Sequence, residues 1–252
     1  MDEDDLPDAI PAATLILMRP AGAGGAPEIL MLERAETMAF AAGALVFPGG
    51  RIDPEDQAMA GRYPGFDDAA ARIAAIRETI EETGVAPALR PSPDAAALRE
   101  AMSAGRPFAA LLDEMGLALD LDALTPFARW CPNFREARRF DTLFYLAEAP
   151  AGGTTLHSAD ETESVHTFWA SAATVLAEIE AGRAKAIFPT RRNLERLAGF
   201  DSLDEAKADA ARHPVEKITP WVEEREGRRF VCIPEGIGYP VTAEPYESAR
   251  RR

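Results

Sequence analysis

Cysteine and histidine are scarce in this chain. Cys131 and Cys232 are the two cysteines, and His157, His166 and His213 the three histidines, in 252 residues. Two thiols make no disulfide framework, and free thiols point to a reducing cytoplasm. No histidine has a cysteine partner at zinc spacing, so each reads as structural. Positive charge is also short: 27 Lys and Arg face 42 Asp and Glu, a formal net charge of −15. That balance opposes nonspecific binding to nucleic acid or an anionic membrane and favours attraction of cations. No apolar run approaches the roughly 18 residues of a membrane span. The opening MDEDDLPDA lacks the basic and apolar layout of a secretory signal, and ESARRR matches no address tripeptide. A GxxxxGK[ST] phosphate loop is absent, which argues against a P-loop enzyme, and Ser158 and Ser171 lack a nucleophile elbow.

What remains is enough for a sizeable core. Apolar residues make up 47% of the chain, and its length suits one large domain with insertions. Ala12–Met18 and Glu28–Arg34 read as strands forming an antiparallel pair, and Ala44–Phe47 as a third strand running into a Pro-Gly-Gly turn. Prolines 87, 91 and 93 close this first unit. Asp94–Ala104 and Pro107–Met115 then read as helices, with Leu98, Met102, Phe108, Leu111 and Leu112 as their apolar positions. This helical insertion, 87–122, serves either as cover for a sheet face or as a lid. Leu124–Trp130, Thr142–Leu146 and Val165–Trp169 read as strands, and Ala172–Ala181 and Pro189–Leu197 as helices. Arg191 and Arg192 are expected as exposed helix charges. Lys217–Trp221 and Arg229–Ile233 are expected as a terminal hairpin around Glu226-Gly227.

The chemistry concentrates in Arg77–Val85, RETIEETGV. At about 100° per residue, Ala69, Ile73, Ile76 and Ile80 fall on one stripe suited to burial. Glu78, Glu81 and Glu82 fall nearly opposite, and Gly84 stops the helix as a left-handed cap. On a solvated helix such like charges cost only about 0.2–0.5 kcal/mol per pair. In a cleft the repulsion rises to roughly 4 kcal/mol per close pair, and the face needs a cation. Hard divalent ions take oxygen ligands, and Mg²⁺ is held by a few carboxylates together with substrate phosphates.

GALVFPGG (43–50) followed by RETIEETGV resembles the signature of the Nudix hydrolases, GX5EX7REUXEEXGU with U aliphatic. Thr79 replaces the first U. Five residues past Gly50 comes Asp56, not Glu, and residues 57–76 separate it from Arg77 where the pattern allows seven. A loop, roughly Ala58–Phe66, reads as inserted within the box (57–66). Asp67 or Asp68 could cap the helix, and whether Asp56 or Asp68 takes the first box-Glu position stays open. Arg34, RRFDTLFYLA (138–147), IFPTRRNLERLAGFDSL (187–203) and the stretch 215–240 resemble the long, split-box members of the coenzyme A diphosphatase-related branch. Ala39 and Ala41 stand where that branch has basic and His residues.

The resemblance implies an α+β fold, an α/β/α sandwich around a mixed sheet, as a single domain over 8–245. It implies hydrolysis of a diphosphate linked to a further group, with Mg²⁺ or Mn²⁺ held by Glu78, Glu81 and Glu82. Arg77 would orient a box glutamate, and Gly49 and Gly50 would let backbone approach the site. Glu163, chosen over Asp160 and Glu161, or a box glutamate such as Glu81, would be the base. Arg135, Arg138 and Arg139 either belong to a solvated loop or, since a guanidinium fork suits phosphate, meet the substrate, as Arg34 would. The expected partner is a small-molecule diphosphate. The oligomeric state stays open, a homodimer included. Coenzyme A or its acyl esters compete with ADP-ribose or NADH as substrate, and a noncatalytic metabolite-binding module is the reading from another class.

Overall fold

The central strands bury side chains on both faces, which is why they read as continuous apolar runs. In β1 (Ile10–Arg19), Ala13, Leu15 and Leu17 enter one core while Ile16 and Met18 enter the other. The computed structural model describes residues 8–34, 43–132, 139–151 and 166–250.

Strands β2 (Glu28–Glu33) and β3 (Ala44–Val46) follow the order expected for the first unit, whereas Gly49-Gly50, expected as a turn, begins strand β4 (Gly49–Arg51). Helix α1 (Pro54–Ala60) and helix α2 (Ala69–Thr83) come next. The segment from Ala58 expected as loop thus begins as the end of α1, and only Gly61 onward turns. Beyond lie β5 (Leu89–Arg90), α3 (Ala95–Ser103), α4 (Phe108–Met115), β6 (Ala118–Leu119), β7 (Thr125–Trp130) and β8 (Phe140–Glu148). The last part holds β9 (His166–Ser171), α5 (Ala172–Glu180), β10 (Lys185–Ala186), α6 (Phe188–Leu197), α7 (Leu203–Arg212) and β11 (Lys217–Ile218). β12 (Trp221–Arg225), β13 (Arg228–Cys232), β14 (Ala243–Pro245) and α8 (Tyr246–Arg250) close it.

Among the described residues the main sheet is mixed. Its order is β10-β3-β2-β1-β8-β7-β11, with β4 also paired to β1 and β9 to β2. β1 and β8 run parallel from Ile10↔Phe140 to Met18↔Glu148. One core joins α2, α3 and α4 to this sheet; the other joins α5, α6 and α7 to its opposite face. The architecture is therefore the expected α+β sandwich. No helix among the described residues is long and apolar enough to cross a membrane.

Helix α2 follows from its sequence. Alanines and isoleucines run through it without Gly or Pro, and Ala69, Ile73, Ile76 and Ile80 are buried. Gly84 takes φ 71°, and its N–H donates to the Ile80 carbonyl at 2.9 Å. Thr79, at an aliphatic position of the box, is buried with its hydroxyl donating to the Ala75 carbonyl at 2.7 Å. The polar atom is thereby satisfied within the helix. In the insertion, Leu98, Met102, Phe108, Leu111 and Leu112 are buried in the same core as α2.

Two expectations need correcting. Arg192 is only 1% exposed, and the Arg191 side chain 12%. Both are held by Glu195 and Glu244 on the far side of the sheet from α2, at 2.6 and 3.1 Å for Arg192. The hydrophilic letters concealed burial because opposite charges arrive from β14, distant in sequence. The terminal hairpin pairs Trp221–Arg225 with Arg228–Cys232 around Glu226-Gly227, and Lys217–Ile218 instead joins the main sheet beside β7.

Candidate active site

The register of β1 with β4 builds the floor of the site. Ala13 faces Gly50 and Thr14 faces Gly49. A Cβ on Gly49 would lie 2.4 Å from the Ala13 carbonyl oxygen and 2.7 Å from the Thr14 Cα. A Cβ on Gly50 would lie 2.4–2.5 Å from the Glu78 carboxylate. Both glycines are thus steric requirements: backbone passes between β1 and the acidic face of α2 with no room for a side chain. The Gly49 N–H donates to Glu82 Oε2 at 2.9 Å.

Arg77 is the hub. Its Nε and Nη2 donate to the two oxygens of Asp56 at 3.0 and 2.8 Å, a bidentate fork. Its Nη1 donates to Glu78 at 2.9 Å and Glu81 at 3.0 Å, and Nη2 also reaches the Arg51 carbonyl at 3.1 Å. Asp56 is 0% exposed and also accepts from the Asp53 amide at 2.8 Å. The count of five from Gly50 therefore leads to the carboxylate that anchors Arg77, although α1 and a turn separate them in sequence. Asp68 stands at the N-cap position of α2, where its oxygens accept from Arg72 at 2.7 Å and Tyr145 at 2.9 Å.

The electrostatics are those of crowded acids. Burial raises the pKa of Glu78 and Glu81, against the opposing field of Arg77. Burial pushes Glu82 up to about 8, helped by Glu78 and Glu81 and opposed by the Gly49 N–H and Arg34. Burial alone would lower Arg77, but the bond to Asp56 and the charges of Glu78 and Glu81 hold it above its usual value. Arg34, at the end of β2, thus lies close enough for its charge to act on Glu82.

The residues fit a divalent cation as a shared ligand, not as the centre of a finished cage. Among the described residues no three acidic, His or Cys side chains converge on one point as metal ligands. The cause is visible: Arg77 draws Glu78 and Glu81 to itself, and the Gly49 amide holds Glu82. Yet Asp53, Asp56, Glu78, Glu81 and Glu82 gather where, among the described residues, Arg77 and Arg34 are the cations that act on them. Mg²⁺ is ordinarily bound by one or two carboxylates with phosphate oxygens completing its shell. An acidic face with the Glu81 side chain 40% exposed suits that arrangement.

Of the other anticipated residues, Arg139 immediately precedes β8, and its carbonyl accepts from the Ile10 amide at 2.8 Å. Its Nε is buried with no hydrogen-bond partner among the described residues. Glu163 and Arg138 lie outside the described residues, as do Arg135, Asp160 and Glu161. Arg72 and Arg99, which hold α2 to its surroundings, were not singled out by sequence. Arg72 falls on the buried side of an amphipathic pattern, and its charge disguised that.

No protein-family model matches the chain. Solved structures do. The crystal structure of a Nudix hydrolase from Alicyclobacillus acidocaldarius aligns at 32% identity with a TM-score of 0.71, covering 80% of this chain and 96% of that one. More distant likenesses include the Nudix domain of Shewanella oneidensis NrtR complexed with ADP ribose, at 16% identity and TM-score 0.43, covering 77% of this chain and 90% of that one. A C. elegans Ap4A hydrolase aligns at 16% identity and TM-score 0.41, covering 76% of this chain and 100% of that one. A glycine turn pressed on an arginine-centred acidic helix, in a fold shared at 32% identity over nearly the whole of a solved relative, places the chain in the Nudix hydrolase family, a diphosphohydrolase by reaction class.

Proposed function

We propose that the protein hydrolyses the diphosphate linkage of a nucleoside diphosphate derivative with Mg²⁺ or Mn²⁺, and that coenzyme A or an acyl-CoA is its substrate. The observation that carries the reaction class is the cation deficit at Glu78, Glu81 and Glu82, where Glu82 is pushed up to about 8 although a backbone N–H and Arg34 both favour its charged form. The glutamates would hold the metal. When bound, the metal supplies charge neutralisation on the diphosphate and a lowered pKa for water.

The chain's own residues do the rest. Arg77, clamped by Asp56, fixes the spread of Glu78 and Glu81. Gly49 and Gly50 keep the floor of the site free of side chains. Water attacks phosphorus in line with the leaving oxygen; its proton goes to Glu163 or Glu81, and the P–O–P bond breaks to give two phosphate-bearing products. Arg34 and Arg138 belong to the substrate side of this reading, and so does Arg139, whose buried Nε is left for an anionic oxygen. Arg139 lies two strands from Arg51 of β4, which pairs with Ala12 and through it stands level with Thr142, three residues on from Arg139.

The stretches 138–147, 187–203 and 215–240 support coenzyme A. Part of that support is architectural, because Arg191, Arg192 and Arg196 in the second stretch sit in the far core. The missing basic and His positions at Ala39 and Ala41 favour an ADP-ribose or NADH type of substrate as the second reading. We assign one Nudix domain to residues 8–245 and a cytoplasmic setting consistent with two free cysteines. The purified protein should be incubated with Mg²⁺ and, separately, CoA, acyl-CoA esters, ADP-ribose and NADH, with products resolved by mass. Release of 3′,5′-ADP from CoA esters at a kcat/KM at least about tenfold above the others is expected. Preference for ADP-ribose or NADH would overturn the CoA assignment, and no metal-dependent cleavage of any of them would overturn the reaction class.

A further inference from the structure

We propose that Arg99, in the helical insertion, is a positioning residue that sets the last turn of α2 and through it the metal-facing carboxylates. This rests on the reading of Glu78, Glu81 and Glu82 as the metal site. The main-chain carbonyl of Glu81 should accept from the amide of Val85, four residues on. That amide instead donates to the Thr83 hydroxyl at 3.0 Å. The Glu81 carbonyl is taken by Arg99 Nε at 3.0 Å. A guanidinium there also complements the negative end of the helix. In the turn that carries Glu81 and Glu82, Gly84 caps the Ile80 carbonyl, but the Glu81 carbonyl is tied off from α3 and not by the amide four residues on.

The insertion grips the same helix at its other end. Arg72 Nη1 donates to the carbonyls of Leu121 and Leu124 at 2.9 and 2.6 Å, while its Nε holds Asp68. Arg62, in the turn that splits the box, makes a fork to Asp113 of α4 at 2.7 and 2.9 Å. α3 and α4 bury their apolar faces against α2. The insertion is therefore a bracket for the acidic helix and not a lid over it. Among the described residues, the polar tie from the insertion that falls in the turn bearing Glu81 and Glu82 is that of Arg99, so this one should tune metal affinity, while the outer ties serve stability.

Two substitutions separate the bond from the charge. Glutamine places an N–H the same number of bonds from the backbone as Arg99 Nε; methionine keeps the stem and helix preference but donates nothing. Mn²⁺ binding should be titrated without substrate, alongside the Mg²⁺ dependence of turnover. R99M should weaken Mn²⁺ binding by about tenfold, the low end of the range for groups that orient metal ligands, and raise the half-saturating Mg²⁺ concentration equally. Its kcat at saturating Mg²⁺ should stay within about twofold, and R99Q should bind Mn²⁺ within about twofold of wild type. D113A, which opens the exposed fork, should lower the melting temperature without weakening Mn²⁺. Unchanged Mn²⁺ affinity in R99M, equal weakening in R99Q, or equal weakening in D113A would overturn the positioning role. A wild-type protein that binds no Mn²⁺ would overturn the metal site itself, and the inference with it.

Discussion

Two buried charge networks lie on opposite faces of one sheet, and only one is in balance. Behind the sheet, Arg191, Arg192 and Arg196 meet Glu195, Glu244 and Asp209, with Arg196 to Asp209 at 2.8 Å and Arg196 stacked on Phe127 at 4.1 Å. Each cation finds a carboxylate, and the set ties α6 to α7 and β14. In front, Arg77 stands amid Asp53, Asp56, Glu78 and Glu81, with Glu82 on the neighbouring turn. A buried ion pair is retained when its geometry repays desolvation. Surplus carboxylates receive no such return from the fold alone, so they point to a charge that arrives from outside. Under the proposed metal site, balance belongs to the scaffold and imbalance to the chemistry.

The largest expected effect breaks that contrast at its centre. E82Q removes the ionisable carboxyl and keeps the acceptor for the Gly49 N–H. Turnover should fall by about 10³-fold, or about 4 kcal/mol of transition-state stabilisation, while the metal-free protein melts no lower than wild type. Activity is read from initial rates at saturating Mg²⁺ and stability from thermal melts. A variant with full metal-dependent activity would show that Glu82 has no part in the reaction.

Next in size is the contrast between R77M and R192M. R77M leaves Asp56, wholly buried, with the Asp53 amide as its remaining described donor. Stranding such a charge costs about 3–5 kcal/mol, and activity should collapse as Glu78 and Glu81 lose their common anchor. R192M should cost less, toward the lower end of that range, because Arg191 still reaches Glu195 at 3.0 Å and Glu244 at 3.4 Å. Its kcat should stay within about twofold of wild type. Urea unfolding with parallel rate measurements separates the two. Loss of kcat in folded R192M would mean that the rear network is coupled to the chemistry.

How far sequence could reach follows from the same comparison. The front network was legible because its members crowd into one helix and one turn, where spacing fixes direction: the stripe of Ala69, Ile73, Ile76 and Ile80 and the opposed glutamates lie as periodicity demands. Asp56 was half legible. Counting from Gly50 reached it, but a split of 20 intervening residues, 57–76, hid its fork with Arg77 until α1 brought the two together. The rear network was misread because Arg192 and Glu244 lie 52 positions apart, and no local pattern announces a partner at that distance. The tie of Arg99 to a main-chain carbonyl was invisible for a similar reason, since it depends on the Val85 amide having turned to Thr83.

The smallest expected effect concerns pH and tests the imbalance without touching the reaction. A carboxyl whose pKa is higher in the folded state than in the unfolded chain makes the native form bind more protons between the two values. Stability then falls as pH rises across that window. For Glu82 the window opens near 4.5 and closes at about 8, and Glu78 and Glu81 shift the same way through burial. Metal-free protein should therefore lose melting temperature steadily from pH 5 to pH 8. E82Q should flatten the slope, and added Mg²⁺ should restore stability most at the alkaline end, where the carboxylates are charged. Glu195 is also raised by burial, but it stands on α6 across the sheet from the acidic face of α2, so Mg²⁺ should not act on its contribution. A metal-free profile that is flat, or that rises toward pH 8, would mean that the front carboxylates are neutralised within the fold, and the distinction between the two faces of the sheet would lose its basis.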